Sequence, residues 1–210
     1  MDVQFYGANC LAFNTKGLRI VVDDNLAELG AKSVARNGDL LLFTAQKAGS
    51  VPDEARLVVD MPGEYEVGNV SVTGIAARSH MDEDEKSRGT TMYKLVDGDT
   101  SYLVTGHIYP SLTDDELEAI GLIDVMFVPV GGNGYTLDPV GALKLIKAVE
   151  PKLVVPTHYA DKSLKYEVPQ QNLEDALKEI GMEVKERLPK LKLKPGELTD
   201  VTQLVVLEKS

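Results

Sequence analysis

The chain is poor in the groups that most often carry chemistry unaided. It has one cysteine, so no internal disulfide can form. Cys10 lies in the short apolar run Cys10-Leu-Ala-Phe13, where a thiol most simply packs as a small hydrophobe. There is no G-x-S-x-G stretch, which removes support for a serine hydrolase. No apolar run approaches the length needed to cross a bilayer. Met1-Asp2-Val3-Gln4 has no basic region ahead of an apolar stretch, and with a single cysteine this leads to the expectation of a cytoplasmic protein. Positive charge is also scarce: 22 Lys and Arg against 33 Asp and Glu leave a net charge of −11. Nucleic acids and anionic membranes reward clustered Lys and Arg, so neither is an expected partner. Gly131-Gly-Asn-Gly134-Tyr135 lacks the lysine and serine of a P-loop, and its glycines read as a backbone turn beside a pocket.

What is present is an ordinary globular composition, 43% apolar and 26% charged. A chain of 210 residues buries a substantial core, and one domain spanning residues 1–210 is expected. The three histidines share one context. His80 ends Val70-Ser-Val-Thr-Gly-Ile-Ala-Ala-Arg-Ser-His80, His107 ends Tyr102-Leu-Val-Thr-Gly-His107, and His158 ends Leu153-Val-Val-Pro-Thr-His158. A polar side chain that closes an apolar strand stands at the rim of a sheet, where ligands gather. Convergence of the three on one pocket is the expectation.

The first half reads as strands joined by tight turns: Val3–Tyr6, Cys10–Phe13, Arg19–Asp23, Leu40–Thr44, Glu64–Val67, Val70–Ala77, Met92–Val96 and Ser101–Thr105. Gly68-Asn69 and Asp97-Gly-Asp99 are hairpin signals. The second half alternates. Thr113-Asp-Asp-Glu116 is a capping box for a short helix. Val125–Val130 and Leu153–Val155 are continuously apolar, as in strands covered on both faces. Asp138-Pro139 starts a helix whose apolar face is predicted at Val140, Leu143, Ile146 and Val149. Leu173, Ala176, Leu177 and Ile180 mark another, stopped by Gly181. Val184–Leu188 and Gln203–Leu207 read as closing strands. Lys190-Leu-Lys-Leu-Lys194 alternates like an edge strand guarded by its lysines.

Asp60-Met-Pro-Gly-Glu-Tyr-Glu-Val-Gly-Asn-Val-Ser-Val-Thr-Gly-Ile75, Asp124-Val-Met-Phe-Val-Pro-Val-Gly-Gly-Asn-Gly-Tyr-Thr-Leu-Asp138 and Pro151-Lys-Leu-Val-Val-Pro-Thr-His-Tyr159 resemble, in that order, the zinc-dependent hydrolases of the metallo-β-lactamase superfamily. The resemblance runs from about Gln4 to Tyr159. It implies a four-layer αββα sandwich, an α/β fold, and a dinuclear metal centre. It also marks departures. The family's first metal motif reads Thr-His-x-His-x-Asp-His; here the stretch is Thr44-Ala-Gln-Lys-Ala-Gly-Ser50, with the threonine kept and every ligand gone. The usual Gly-Asp, whose carboxylate bridges two metals, is Gly106-His107. His80 and His158 match ligand positions.

A neutral imidazole has one free lone pair and cannot bridge as a carboxylate does. The expectation is therefore a degenerate site, with either no metal or one zinc or similar ion on His80, His107 and His158, a ligand set that zinc accepts. The matching function is a hydrolase-like protein of weak or lost activity that keeps a pocket for a small-molecule ligand. The alternative is an active hydrolase using that single metal. Lys47, Tyr135, Tyr159 and Asp23 are expected to line the pocket. Lys47 stands where the family places a histidine. If its ammonium fills a cation's place the ligand is anionic; the plainer reading is a lysine facing solvent. Asp82-Glu-Asp-Glu85 could supply oxygen ligands, but a solvated acidic loop is the preferred reading. Asp23-Asp24, near the family's structural aspartate, suits a loop-pinning role.

Overall fold

A two-residue Gly-Asn turn followed by alternating Val70, Val72 and Gly74 commits the chain to antiparallel pairing, and similar signals recur through the first hundred residues. The computed structural model describes residues 1–45, 49–134, 136–193 and 197–210. In chain order the elements are β1 (Asp2–Gly7), β2 (Cys10–Thr15), β3 (Leu18–Val22), β4 (Leu40–Leu42), β5 (Leu57–Val59), β6 (Gly63–Val67), β7 (Val70–Ala77), β8 (Thr90–Asp97) and β9 (Thr100–Val104). They continue with α1 (Asp114–Ile120), β10 (Val125–Pro129), α2 (Pro139–Val149), β11 (Leu153–Thr157), α3 (Leu173–Ile180), β12 (Val184–Leu188), β13 (Leu191–Lys192) and β14 (Gln203–Leu207).

The strands form two sheets, ordered β13-β1-β2-β3-β4-β5 and β12-β14-β11-β10-β9-β8-β7-β6. Hairpin-linked neighbours pair antiparallel, and the strands separated by helices, β9, β10, β11 and β14, run parallel. Their inward faces meet in one apolar layer. Phe13 from the first sheet packs edge-on against Tyr102 and Phe127 from the second, with ring centroids 5.8 and 5.4 Å apart. Aromatic rings prefer this arrangement because the positive edge of one meets the negative face of the other.

Of the expected four-layer αββα sandwich, the two packed sheets and the helical layer on the eight-stranded sheet are present. The helices set by Asp138 and Asn172 lie outside the eight-stranded sheet, on the layer that holds Met126, Val154 and Leu204. The predicted caps are there: Asp138 accepts from Gly141 N–H, and Thr113 and Glu116 form a reciprocal box. The structure adds a third, with Asn172 accepting from Asp175 N–H. The buried face of α2 differs from expectation. Ala142, Leu145 and Ile146 are buried and Val140 is 52% exposed. The Asp138 cap and the close fit of Gly141 against Pro110 set the rotation of this helix, so the residue after its proline points to water. The outer face of the six-stranded sheet carries no helix among the described residues. Irregular chain covers it, with Leu26, Leu164 and partly buried Val34 and Tyr166 packed on Cys10, Val21 and Leu41. Cys10 is fully buried there, and burial beside Asp24 and Asp23 pushes its thiol well above the usual range. It is a packing residue.

Candidate functional site

Four chain turns meet at one edge of the sandwich. β3 ends at Asp23, which takes a left-handed φ of 50°. Its carboxylate accepts the backbone N–H and the hydroxyl of Thr44, each at 2.7 Å. This is why β4 stops at Leu42: the chain turns to give Thr44 to Asp23. Burial raises the Asp23 carboxyl to about 6, with the Thr44 bonds opposing. The neighbouring Asp24 is buried and pins the irregular layer, accepting from Ser33 Oγ and from the N–H groups of Val34 and Ala35 at 2.6–2.7 Å.

β9 leads to Gly106 and His107. Gly106 has φ +62°, and a Cβ there would come within 2.5 Å of the Thr44 side chain. Glycine is thus required by both backbone and neighbour. His107 uses both ring nitrogens. Nδ1 is 2.7 Å from Thr136 Oγ1, and Nε2 is 2.9 Å from the Asn9 amide nitrogen. Asn9, buried in the β1–β2 connection, also accepts from Thr157 Oγ1 at 2.9 Å. Burial holds the His107 imidazole well below its usual range, helped by repulsion from His158 and His80.

β11 leads to His158, which has φ 48° and donates its N–H to Ala8 O. Its ring meets His107 edge-on at 4.5 Å between centroids and lies 5.2 Å from Tyr166. Burial lowers its pKa from 6.5 to about 4, and the Gln170 side chain opposes the shift. His158 Nδ1 and Gln170 Oε1 nevertheless do not meet as a well-formed hydrogen bond. Opposite them, Gly131 leaves no room for a side chain: a Cβ would stand 2.1 Å from His158 O and 2.3 Å from Gln170 Oε1.

At this edge lies a half-open cavity of about 50 Å³, lined among the described residues by Asn9, Asp23, Asn25, Phe43, Thr44, Ala45, His107 and His158. That is space for a few waters, well short of the volume of a drug-sized ligand. His80 is not in its wall. It joins the site through its main chain, donating to His107 O at 2.8 Å, while burial lowers its imidazole pKa against the pull of Asp138. Tyr159 is also outside the wall. Its ring packs on Phe5 at 5.7 Å, and burial pushes its phenol to about 12. Tyr166 takes the place beside His158. Lys47 and Tyr135 fall outside the described residues. In the acidic loop, Arg78 stacks on Tyr109 and donates to the Asp82 and Glu83 carbonyls, while the Asp82 carboxylate accepts from Ser87 Oγ. The loop is held by local bonds and directs no carboxylate at the cavity.

Among the described residues no group of three or more His, Cys, Asp or Glu side chains is placed to hold an ion. Thr44 and Ala45 supply no ligand from the first turn, and the His107 nitrogens are both engaged. The residues that complete the site, Asn9, Thr136, Tyr166 and Gln170, belong to no metal or catalytic motif of the sequence. Asn9 alone carried a signal, as a polar residue between two apolar runs.

Two packed sheets with helices outside and a polar site at their shared edge define the metallo-β-lactamase fold. The model of the β-lactamase superfamily domain matches residues 2–158, and the chain belongs to that family. A protein of Archaeoglobus fulgidus named a metal-dependent hydrolase is 27% identical over 151 residues, which are 69% of this chain and 63% of that protein. The match thus spans less than two thirds of that relative. A Thermotoga maritima protein assigned as a zinc-dependent hydrolase of the metallo-β-lactamase superfamily superposes with a TM-score of 0.74 at 26% identity, covering 99% of this chain and 98% of its own. The metallo hydrolase Igni18 of Ignicoccus hospitalis shares the fold at a TM-score of 0.61 and 16% identity, with 86% and 90% covered.

Proposed function

We propose that this chain is a hydrolase-fold protein with a degenerate metal site and weak or lost hydrolytic activity, whose edge cavity of about 50 Å³ takes at most a small molecule of a few heavy atoms through hydrogen bonds. One observation carries the reading: His107, standing where the family places a bridging carboxylate, has both ring nitrogens committed to Asn9 and Thr136. A buried neutral imidazole so held offers a cation no lone pair, so a polar molecule in the cavity would bond to the other wall groups, such as Asn9, Asn25 and Thr44. Elemental analysis of protein purified without chelator, with a phosphodiesterase and lactonase panel, tests this. Less than 0.1 equivalent of metal and near-background turnover are expected. Two equivalents of tightly held metal with turnover would refute it.

A second reading is an active hydrolase with one zinc or similar ion on His80, His107 and His158. Two observations favour it: the relatives are named for metal-dependent hydrolysis, and the buried Nδ1 atoms of His80 and His158 have no hydrogen-bond partner. It requires Asn9 to leave His107. One equivalent of zinc, lost with activity in His158→Ala, would decide for it. We further propose a cytoplasmic, single-domain protein with no nucleic-acid or membrane partner; no helix among the described residues is long and apolar enough to cross a membrane.

A further inference from the structure

Asn9 connects two parts of the chain that the sequence keeps far apart. Its amide lies between Thr157 Oγ1 at the end of β11 and His107 Nε2 beyond β9. With the amide oxygen toward Thr157, its nitrogen donates to Nε2, and Nδ1 carries the proton that goes to Thr136. With the amide turned over, Nε2–H donates to Asn9 and the Thr136 hydroxyl donates to Nδ1. Both networks are complete. In both, neither ring nitrogen keeps an open lone pair.

We propose that Asn9 is the residue that excludes a cation from His107: its side-chain amide fills the coordination position on Nε2 and holds the ring against Thr136. This rests on the reading that the resting protein carries no metal centre, and it assigns that property to one side chain. Position and chemistry both matter here. Asn9 is 2% exposed, so its amide is not displaced cheaply, because leaving Thr157 or His107 unpaired in a buried site costs free energy. An amide nitrogen is a donor without a usable lone pair, so it meets the imidazole as a cation would while binding none itself. His158 lies against the same ring at 4.5 Å, so a carboxylate at position 9 would stand with two imidazoles beside it.

The test compares the wild-type chain with Asn9→Asp and Asn9→Ala, with cobalt(II) and zinc as probes. Asn9→Asp keeps the shape and replaces a donor with an oxygen ligand. It is expected to bind cobalt on the order of 100-fold more tightly than the wild-type limit, a change of the size seen when partners of metal-bound histidines are altered. A visible cobalt band from nitrogen and oxygen ligands should accompany binding. Asn9→Ala should gain about 10-fold, because it frees Nε2 without adding a ligand. In the wild-type protein the His107 ¹⁵N resonances should stay in place when one equivalent of zinc is added.

Circular dichroism and thermal melts establish that each variant folds. If Asn9→Asp does not fold, Asn9→Ala and the wild-type ¹⁵N measurement carry the test. Wild-type His107 resonances that move with stoichiometric zinc would overturn both this proposal and the metal-free reading. A wild-type protein without metal, together with folded variants that gain no cobalt affinity, would overturn the Asn9 proposal alone.

Discussion

Asp23 and Thr44 hold each other by two bonds from one residue: the threonine gives its N–H and its hydroxyl, each at 2.7 Å, to the two oxygens of one carboxylate. The pair joins the end of β3 to the turn after β4 and forms one wall of the cavity. Replacing Thr44 with valine keeps the shape and removes the hydroxyl donor. A hydrogen bond to a charged group contributes about 1.5–3 kcal/mol, and Thr44→Val is expected to destabilise by that amount at neutral pH. Urea denaturation at pH 7.5 measures it, and the Asp23 carboxyl should rise further above about 6 in NMR titration.

Acid should weaken the fold through its histidines. The His158 imidazole titrates at 6.5 when unfolded and at about 4 when folded. Between those values the unfolded chain binds more protons, so stability falls as pH drops through this window. The shift corresponds to roughly 3 kcal/mol, and His107 and His80 add in the same direction. Asp23 opposes: its folded value of about 6 lies above 3.8, so between those values it favours the folded state as pH falls. Denaturation between pH 7.5 and 4 should show a net loss of stability, smaller in His158→Gln. A flat profile would count against the buried neutral imidazoles.

Gly131 should tolerate no side chain. A Cβ at that position meets the His158 carbonyl at 2.1 Å and the Gln170 side chain at 2.3 Å. Overpacking of this kind typically costs about 1–3 kcal/mol. Gly131→Ala is expected to lower Tm and to shift the His158 ring resonances. Gly134→Ala, whose Cβ would meet nothing within 4 Å among the described residues but would sit at φ +76°, should cost stability through the backbone alone and leave those resonances in place.

Asp24 should anchor the irregular layer that covers the six-stranded sheet. Asp24→Ala removes the acceptor for Ser33, Val34 and Ala35 and is expected to cost about 3 kcal/mol. Hydrogen exchange should rise first at Val34 and Ala35, before exchange at Val21 or Leu41 in the sheet.

Apolar runs and turn residues specified most of the framework, because local chemistry decides them. Leu40–Phe43, Val125–Val130 and Leu153–Val155 could be stable only between covered faces, and Gly68-Asn69 could hardly do other than turn. The caps at Thr113 and Asp138 were legible for the same reason: each satisfies a backbone N–H group three residues on. The short strand Leu57–Val59 was missed because its pairing with β4 is a tertiary event.

The sequence also determined that the first metal motif has no histidine and that each of the three histidines closes an apolar strand. Only the tertiary structure decided what those histidines face. Asn9 and His107 are 98 residues apart, and no local pattern predicts their contact. Tyr159 and Tyr166 are equally aromatic in the sequence, yet packing sends Tyr159 to Phe5 and Tyr166 to His158. The rotation of α2, which exposes Val140, follows from the fit of Gly141 to Pro110. Side-chain identity sets which bonds are possible. Burial and distance, which exist only once the two sheets have packed, select those that form.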